Sequence, residues 1–379
     1  MDTVIVVGGG PAGLTVAREC QKNGWKTTLI EEHKEIGVPI NCTGIISADG
    51  VRDTGLKIDD IVVNRVRGAR IFSPKNIELK VQRTETVAFV VERDKLDKKL
   101  AQEATEAGVE LLLETSLLDV RNETVFVKSR GRGEIKKAKI VVGADGPYSK
   151  TRSLMGINLP KEKFAHAYQF RVKGNFEKDF VQVHLGSFAR NYFAWVVPEN
   201  EEMARIGLAV SDGSVRESFE EFEKKIGITG EKCDMCSALI PCAEPLRDVV
   251  RKNMMLVGDA ALQAKATTGG GIIAAINAGK ACAKAIDLHL KQNAPLSDYN
   301  KYLSGINREL LLHWKIRKYM NSLSDDKFDD LFAKMKKSGV EDFLNRHGHM
   351  EKPSLFVGKI LKNPSMWRLF PDAINFFFS

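Results

Sequence analysis

The sequence predicts an α/β fold: a parallel sheet assembled from separated stretches of chain, an inserted antiparallel-sheet region, and a helical C-terminal portion. Three observations lead there. Val4-Ile5-Val6-Val7, Ile140-Val141-Val142 and Met254-Met255-Leu256 are short, wholly apolar runs, the composition of parallel strands covered on both faces. Residues 164–210 alternate and are rich in rings (Phe164, Tyr168, Phe170, Phe188, Tyr192, Phe193, Trp195), which suits antiparallel strands. From about Ser297 onward the chain is charged and amphipathic at helical spacing, ending in an aromatic cluster at Trp367, Phe370, Phe376, Phe377 and Phe378.

The first apolar run leads into a helix over residues 11–23, with Leu14, Ala17 and Cys20 on one side and Gly24 as its stop. A second apolar strand over 27–30 closes on Glu31 and Glu32, completing a β-α-β unit. Residues 96–107 have helical spacing, and 109–113 form a strand. The strand over 139–142 runs into Gly143-Ala144-Asp145-Gly146, and the strand over 254–258 precedes an alanine-rich helix over 271–286.

The balance of 57 basic against 49 acidic side chains, net +8, is spread along the chain without a nucleic-acid motif. Nucleic acid is therefore not an expected partner, while contact with an anionic membrane surface stays open. The opening residues enter a strand at once, which leaves no room for a signal peptide, and no apolar run approaches the length of a spanning helix. A cytoplasmic protein, with peripheral membrane contact as an option, is the expectation.

Gly8-Gly9-Gly10-Pro11-Ala12-Gly13 fits G-x-G-x-x-G. Gly8 permits the tight turn, Gly10 admits a pyrophosphate to the backbone, and Gly13 lets helix pack on strand. The helix that starts at Pro11 and Ala12 offers free N–H groups beyond the proline and a positive dipole end to the phosphates. Glu31, with Glu32 beside it, lies where an acid accepts from the adenosine ribose. This predicts a Rossmann-like dinucleotide site without separating NAD from FAD.

Two further segments separate them. Ala144-Asp145-Gly146 with Ser149 and Arg152, and Leu256-Val257-Gly258-Asp259-Ala260-Ala261 followed by Gly269-Gly270-Gly271-Ile272, resemble the second and third FAD signatures of the FAD-dependent aromatic hydroxylase and geranylgeranyl reductase superfamily. The resemblance spans most of residues 1–290. It implies FAD, with Asp259 on a ribityl hydroxyl, Gly270, Gly271 and Ile272 at the flavin pyrimidine edge, and Arg93 reaching the cofactor. A helix start at that edge would stabilise the negative charge of a reduced flavin. The implied domains are an FAD-binding domain from 1–65, 92–157 and 246–290, a substrate-binding sheet domain from 66–91 and 158–245, and a helical region over 291–379.

Within the superfamily the finer resemblance is to archaeal geranylgeranyl reductases. Pro39-Ile40-Asn41-Cys42-Thr43-Gly44 is similar to their P-x-x-C-x-G loop, which implies a cysteine close to the flavin. Phe193-Ala194-Trp195-Val196-Val197-Pro198 with Gly207 is similar to their aromatic-x-Trp-x-Phe-Pro…Gly-x-Gly substrate motif, and Thr267-Thr268-Gly269-Gly270-Gly271-Ile272 to their T-T-G-G-G-I turn. Val197, Ala209 and Ala266 depart from the family pattern.

The expected reaction is reduction of isoprenoid double bonds in lipids or prenyl diphosphates. Hydride would come from reduced flavin, and a water-excluding aromatic wall of Tyr192, Phe193 and Trp195 would face the developing cation. Cys42 could donate the proton or shape the flavin face. His166 and His184 are expected to be structural. No second glycine motif provides a resident nicotinamide, so a nicotinamide or redox protein would visit as electron donor. An FAD monooxygenase and a flavin-binding electron carrier remain as alternatives. Cys233, Cys236 and Cys242 lack the fourth ligand of a zinc or iron–sulfur site, so structural, redox and metal roles stay open, with no metal assigned.

Overall fold

The computed structural model describes residues 2–361. The terminal aromatic cluster at 367–378 lies outside them. The chain divides into two compact units, one from residues 2–40, 93–163 and 241–310, the other from 41–92, 164–240 and 311–361.

The first unit is built on a sheet in the order Val250–Arg251, Met254–Leu256, Arg132–Gly143, Asp2–Val7, Thr27–Ile30, Glu110–Leu112. Asp2–Val7 runs parallel to both of its neighbours. Its Val4, Ile5 and Val6 are fully buried, as an all-apolar run requires when layers cover both faces. Helix Pro11–Lys22 packs on Arg93–Glu106 and on Ile272–Gln292. The second contact depends on Gly279, where a Cβ would lie 3.0 Å from both the Ala12 carbonyl oxygen and Thr15 Cβ.

The second unit holds a seven-stranded sheet in the order Lys232–Pro241, Phe164–Lys173, Met203–Val210, Phe193–Pro198, Phe180–His184, Gly68–Phe72, Glu78–Gln82. Its central pairs are antiparallel, while Phe180–His184 and Gly68–Phe72 run parallel. Residues alternate between faces. Ala194, Val196, Ile206, Leu208 and Val210 meet Phe219 and Phe222 of helix Val215–Ile226 in one core. Phe193, Trp195, Gly207, Ala209 and Gln169 fall on the opposite face.

The parallel sheet, the antiparallel sheet and the C-terminal helices anticipated from the sequence are all present. The partition differs at several boundaries: residues 158–163 and 241–245, expected in the sheet domain, belong to the first unit, and two longer stretches also change place. Residues 41–65 were grouped with the nucleotide-binding segments, yet they join the second unit, because Ile45–Ser47 and Val62–Val66 both pair with Ala88–Val91. Nor do residues from 291 onward form a region of their own. Those up to 310 belong to the first unit and those from 311 to 361 to the second. There, Glu341 and Asn345 accept the backbone N–H groups of Lys80 and Gln82, each at 2.7 Å. That closes the sheet edge which a bare strand would leave open.

Candidate active site

In the first unit the glycine turn is shaped by close approach. Gly8 has φ +106°, and a Cβ there would lie 2.4 Å from the Ala144 carbonyl oxygen; one at Gly13 would lie 2.0 Å from the Gly8 carbonyl oxygen. At Gly10, by contrast, a Cβ would meet nothing within 4 Å, so space opens in front of helix Pro11–Lys22. Gly10 caps that helix without a side-chain hydrogen bond, and no acid occupies the first turn. Helix Ile272–Gln292 begins in the same way at Gly271. Two helix starts with unused amide donors suit an anionic ligand.

Glu31 Oε2 accepts from Gly9 N at 2.6 Å, and its Oε1 accepts from His33 N at 3.0 Å. It therefore braces the turn, while Glu32 is exposed. Asp145 is committed to its own loop: it accepts from Ser149 Oγ at 2.5 Å and from Thr151 N at 2.8 Å. Buried Arg152 donates to Pro147 O at 2.6 Å and Ala260 O at 3.1 Å, tying this loop to the next. Gly146 adopts φ +69°.

Gly258 (φ +68°) leaves room for Ala12, whose Cβ would lie 2.9 Å from one added there. Burial pushes the Asp259 carboxyl up to about 6, with Arg93 opposing the shift. Asp259 Oδ1 would lie 3.2 Å from a Cβ at Gly271, which places the acid at the second helix start. Arg93 itself holds Asp97 through two hydrogen bonds of 3.0 and 2.8 Å.

In the second unit Trp195 and Gly207 are cross-strand partners, and Gly207 pairs with Gln169. Gln169 Oε1 accepts from Trp195 Nε1 at 2.9 Å and from Thr43 Oγ1 at 2.7 Å, and its amide nitrogen reaches Cys236 Sγ at 3.5 Å. Phe193 meets Trp195 edge-on at 5.8 Å and stacks on Tyr192 at 4.7 Å. The Arg317 guanidinium lies 5.0 Å from the Tyr192 ring centre and 5.5 Å from that of Phe193. A permanent cation thus engages two of the three rings expected to stabilise a developing one. Pro198 ends its strand, and its carbonyl accepts from Asn64 Nδ2 at 2.9 Å.

Cys42 is partly exposed in a loop whose Gly44 N donates to its sulfur at 3.3 Å. Gly44 has φ +73°, and a Cβ there would lie 2.4 Å from the Val91 carbonyl oxygen. The loop is clamped by Arg205, which sequence inspection did not single out. Arg205 donates to Thr43 O at 2.7 Å, to Val91 O at 3.0 Å and to Glu199 Oε1 at 2.5 Å. Both partners of that ion pair are buried.

Burial, then the nearby Cys42, pushes the Cys236 thiol up to about 11. Cys233 and Cys236 lie in the second unit and Cys242 in the first. Among the described residues no group of three or more His, Cys, Asp or Glu is arranged to hold a metal ion. His184 stacks on Phe72 at 4.6 Å, and burial lowers it to about 4, so it is a neutral packing residue. His166 is exposed.

Residues 1–305 match the model of the FAD-binding domain family. The chain is 32% identical to the digeranylgeranylglycerophospholipid reductase of Thermoplasma acidophilum, over 86% of this chain and 90% of that one. It is 29% identical to the protein of the same name from Methanocaldococcus jannaschii, over 98% of each. The crystal structure of a geranylgeranyl bacteriochlorophyll reductase-like protein from T. acidophilum superimposes with a TM-score of 0.86 at 27% identity, over 98% of this chain and 99% of that one. The flavin-dependent brominase Bmp2, 18% identical with a TM-score of 0.69, shares the fold. The uncapped helix starts and the open space at Gly10 fit the pyrophosphate of FAD, and the chain belongs to the FAD-binding domain family, among the digeranylgeranylglycerophospholipid reductases.

Proposed function

We propose that the chain is an FAD-dependent reductase that saturates the double bonds of geranylgeranyl chains carried on lipids. The observation that carries this reading is the sheet face of the second unit, where Trp195 lies over Gly207 and is held by Gln169. An indole fixed over a position without a side chain offers a flat apolar face to a thin hydrocarbon chain.

When bound and reduced, FAD supplies the hydride. The N–H groups at Gly10, Ala12 and Gly13 and at Gly271 and Ile272 would hold its negative charge, and Asp259 would accept from a ribityl hydroxyl. Trp195 screens the alkene from water and faces the carbon that becomes electron-poor. That role falls to Trp195 because charge developing against Tyr192 or Phe193 would meet Arg317. Cys42 delivers the proton to the other alkene carbon, its sulfur positioned by Gly44 N. The electron donor binds transiently.

Anaerobic single-turnover reaction of the photoreduced enzyme with a digeranylgeranyl lipid tests the reading. The product gains two hydrogens for each bond saturated, and Cys42→Ala retains FAD while losing this gain. Oxygen consumption in step with substrate, with no hydrogen added to the prenyl chain, would overturn it.

A further inference from the structure

The second unit contains a cleft that the reaction above does not use. Its volume is about 440 Å³, and Arg67, Lys80, Gln82, Arg83, Phe180 and Asn345 are among its walls. Phe180, Gly68 and Gln82 stand side by side on three strands, with Lys80 paired to Arg70. Trp195 pairs with Val183, so by alternation Phe180 and Lys80 point to the other face of the sheet. The cleft is therefore distinct from the Trp195 face.

Phe180 forms the floor, and Gly68 makes room for it, since a Cβ there would lie 2.9 Å from the ring. Lys80 Nζ lies 4.2 Å from the ring centre, held at the floor by the π face. Arg83 donates to Asn345 O at 3.1 Å and Gly348 O at 2.6 Å, and its remaining terminal nitrogen faces exposed Glu85 at 3.9 Å. The Asn345 side-chain oxygen accepts from Gln82 N, which leaves its amide N–H groups as further donors. The carboxylates nearby include Asp179 and Glu85, paired with Arg67 and Arg83, Glu341, bonded to Lys80 N, and Glu78, which is paired with Arg70 and also feels Lys80. None of the four is among the lining residues.

Three cations and an amide around an aromatic floor, with no acid in the lining, match a phosphate group attached to a short apolar or glycerol-like body. We infer that this cleft binds a phosphate ester, with Lys80 as its central contact. The site goes beyond the reductase reading and stands independently of it. The same chemistry could reside in a lipid headgroup or in a free phosphate compound.

The test uses the full-length flavoprotein with two probes. One is glycerol phosphate in solution, followed by calorimetry. The other is vesicles of phosphatidylcholine with or without phosphatidylglycerol, followed by co-sedimentation. The wild type binds at least one phosphate probe, and Lys80→Glu weakens that binding about ten- to a hundredfold, the range for a lost charge-assisted contact. Lys80→Arg retains it. Glycerol phosphate alone identifies a free ligand, and phosphatidylglycerol vesicles alone identify a headgroup; either supports the site. Wild-type protein that binds neither, or equal binding by Lys80→Glu, overturns it. Flavin content and melting temperature check folding, with Lys80→Gln read in place of any variant that fails to fold.

Discussion

The indole of Trp195 rests on the backbone of Gly207: a Cβ added at 207 would lie 2.7 Å from Trp195 Cζ2 and 2.7 Å from the Tyr168 carbonyl oxygen. The first of these neighbours is a ring locked by its bond to Gln169, and the second is sheet backbone. Neither can retreat without disturbing the face that we assign to the prenyl chain.

Gly207→Ala should therefore lose stability by about 1–3 kcal/mol, the usual cost of overpacking. It should lose prenyl reduction by a larger factor, because the ring is displaced from the substrate side. FAD content should stay at the wild-type level, since the cofactor turns belong to the other unit. Thermal melting and single-turnover product yield measure the two effects. Unchanged melting together with unchanged yield would show that Trp195 has room to move and that the contact is not selective.

Gln169 makes a second prediction, about coupling. One amide oxygen serves both Trp195 Nε1 and Thr43 Oγ1, so it joins the aromatic face to the Cys42 loop. Gln169→Leu keeps the volume but strands two donors, at about 1–3 kcal/mol for a buried donor left unmet. Thr43→Val removes one of those donors. The double variant should consequently be less destabilised than the sum of the singles, by about 0.5 kcal/mol or more. Strict additivity in denaturant unfolding would mean that the two bonds do not act as a unit.

How much of this was legible in the sequence depended on distance along the chain. The glycine turn and its strand are local, and the apolar runs flanking Gly8 and Gly258 announce their burial. Arg205 is the opposite case. Its partners Thr43, Val91 and Glu199 are brought together by sheet pairing across the second unit, and only a lone charge in the otherwise apolar Met203–Val210 hinted at it. Residues 45–47 form a three-residue strand, too short for any periodicity to show which sheet it joins. Gly279 was likewise invisible, because a glycine in an alanine-rich helix stands out only once another helix lies against it. Asp145 was recognised as part of a signature, but its bonds to Ser149 and Thr151 make it the brace of that loop.

Asp259 carries the last prediction, which concerns pH. Its carboxyl in the folded protein is raised to about 6 from an ordinary 3.8, chiefly by burial. The folded state then holds this proton over a range where the unfolded chain has released it, so stability falls as pH rises between those two values. The penalty is absent below about pH 3.8 and complete above about pH 6, where it amounts to at most roughly 3 kcal/mol. Asp259 as a whole residue is half-buried, and any solvent reaching it lowers the figure. Asp259→Asn removes the ionisation. Without FAD, the variant should melt higher than wild type at pH 7, and the gap should close as pH falls toward 4. Asp97 is also raised by burial, but it is common to both proteins and cancels in the difference. With FAD the order should reverse, because the carboxylate that weakens the empty fold is the group we assign to a ribityl hydroxyl. A melting-temperature difference in the flavin-free protein that does not vary with pH would exclude Asp259 as the titrating group. A variant that binds FAD as tightly as wild type would show that the carboxylate has no part in holding the cofactor.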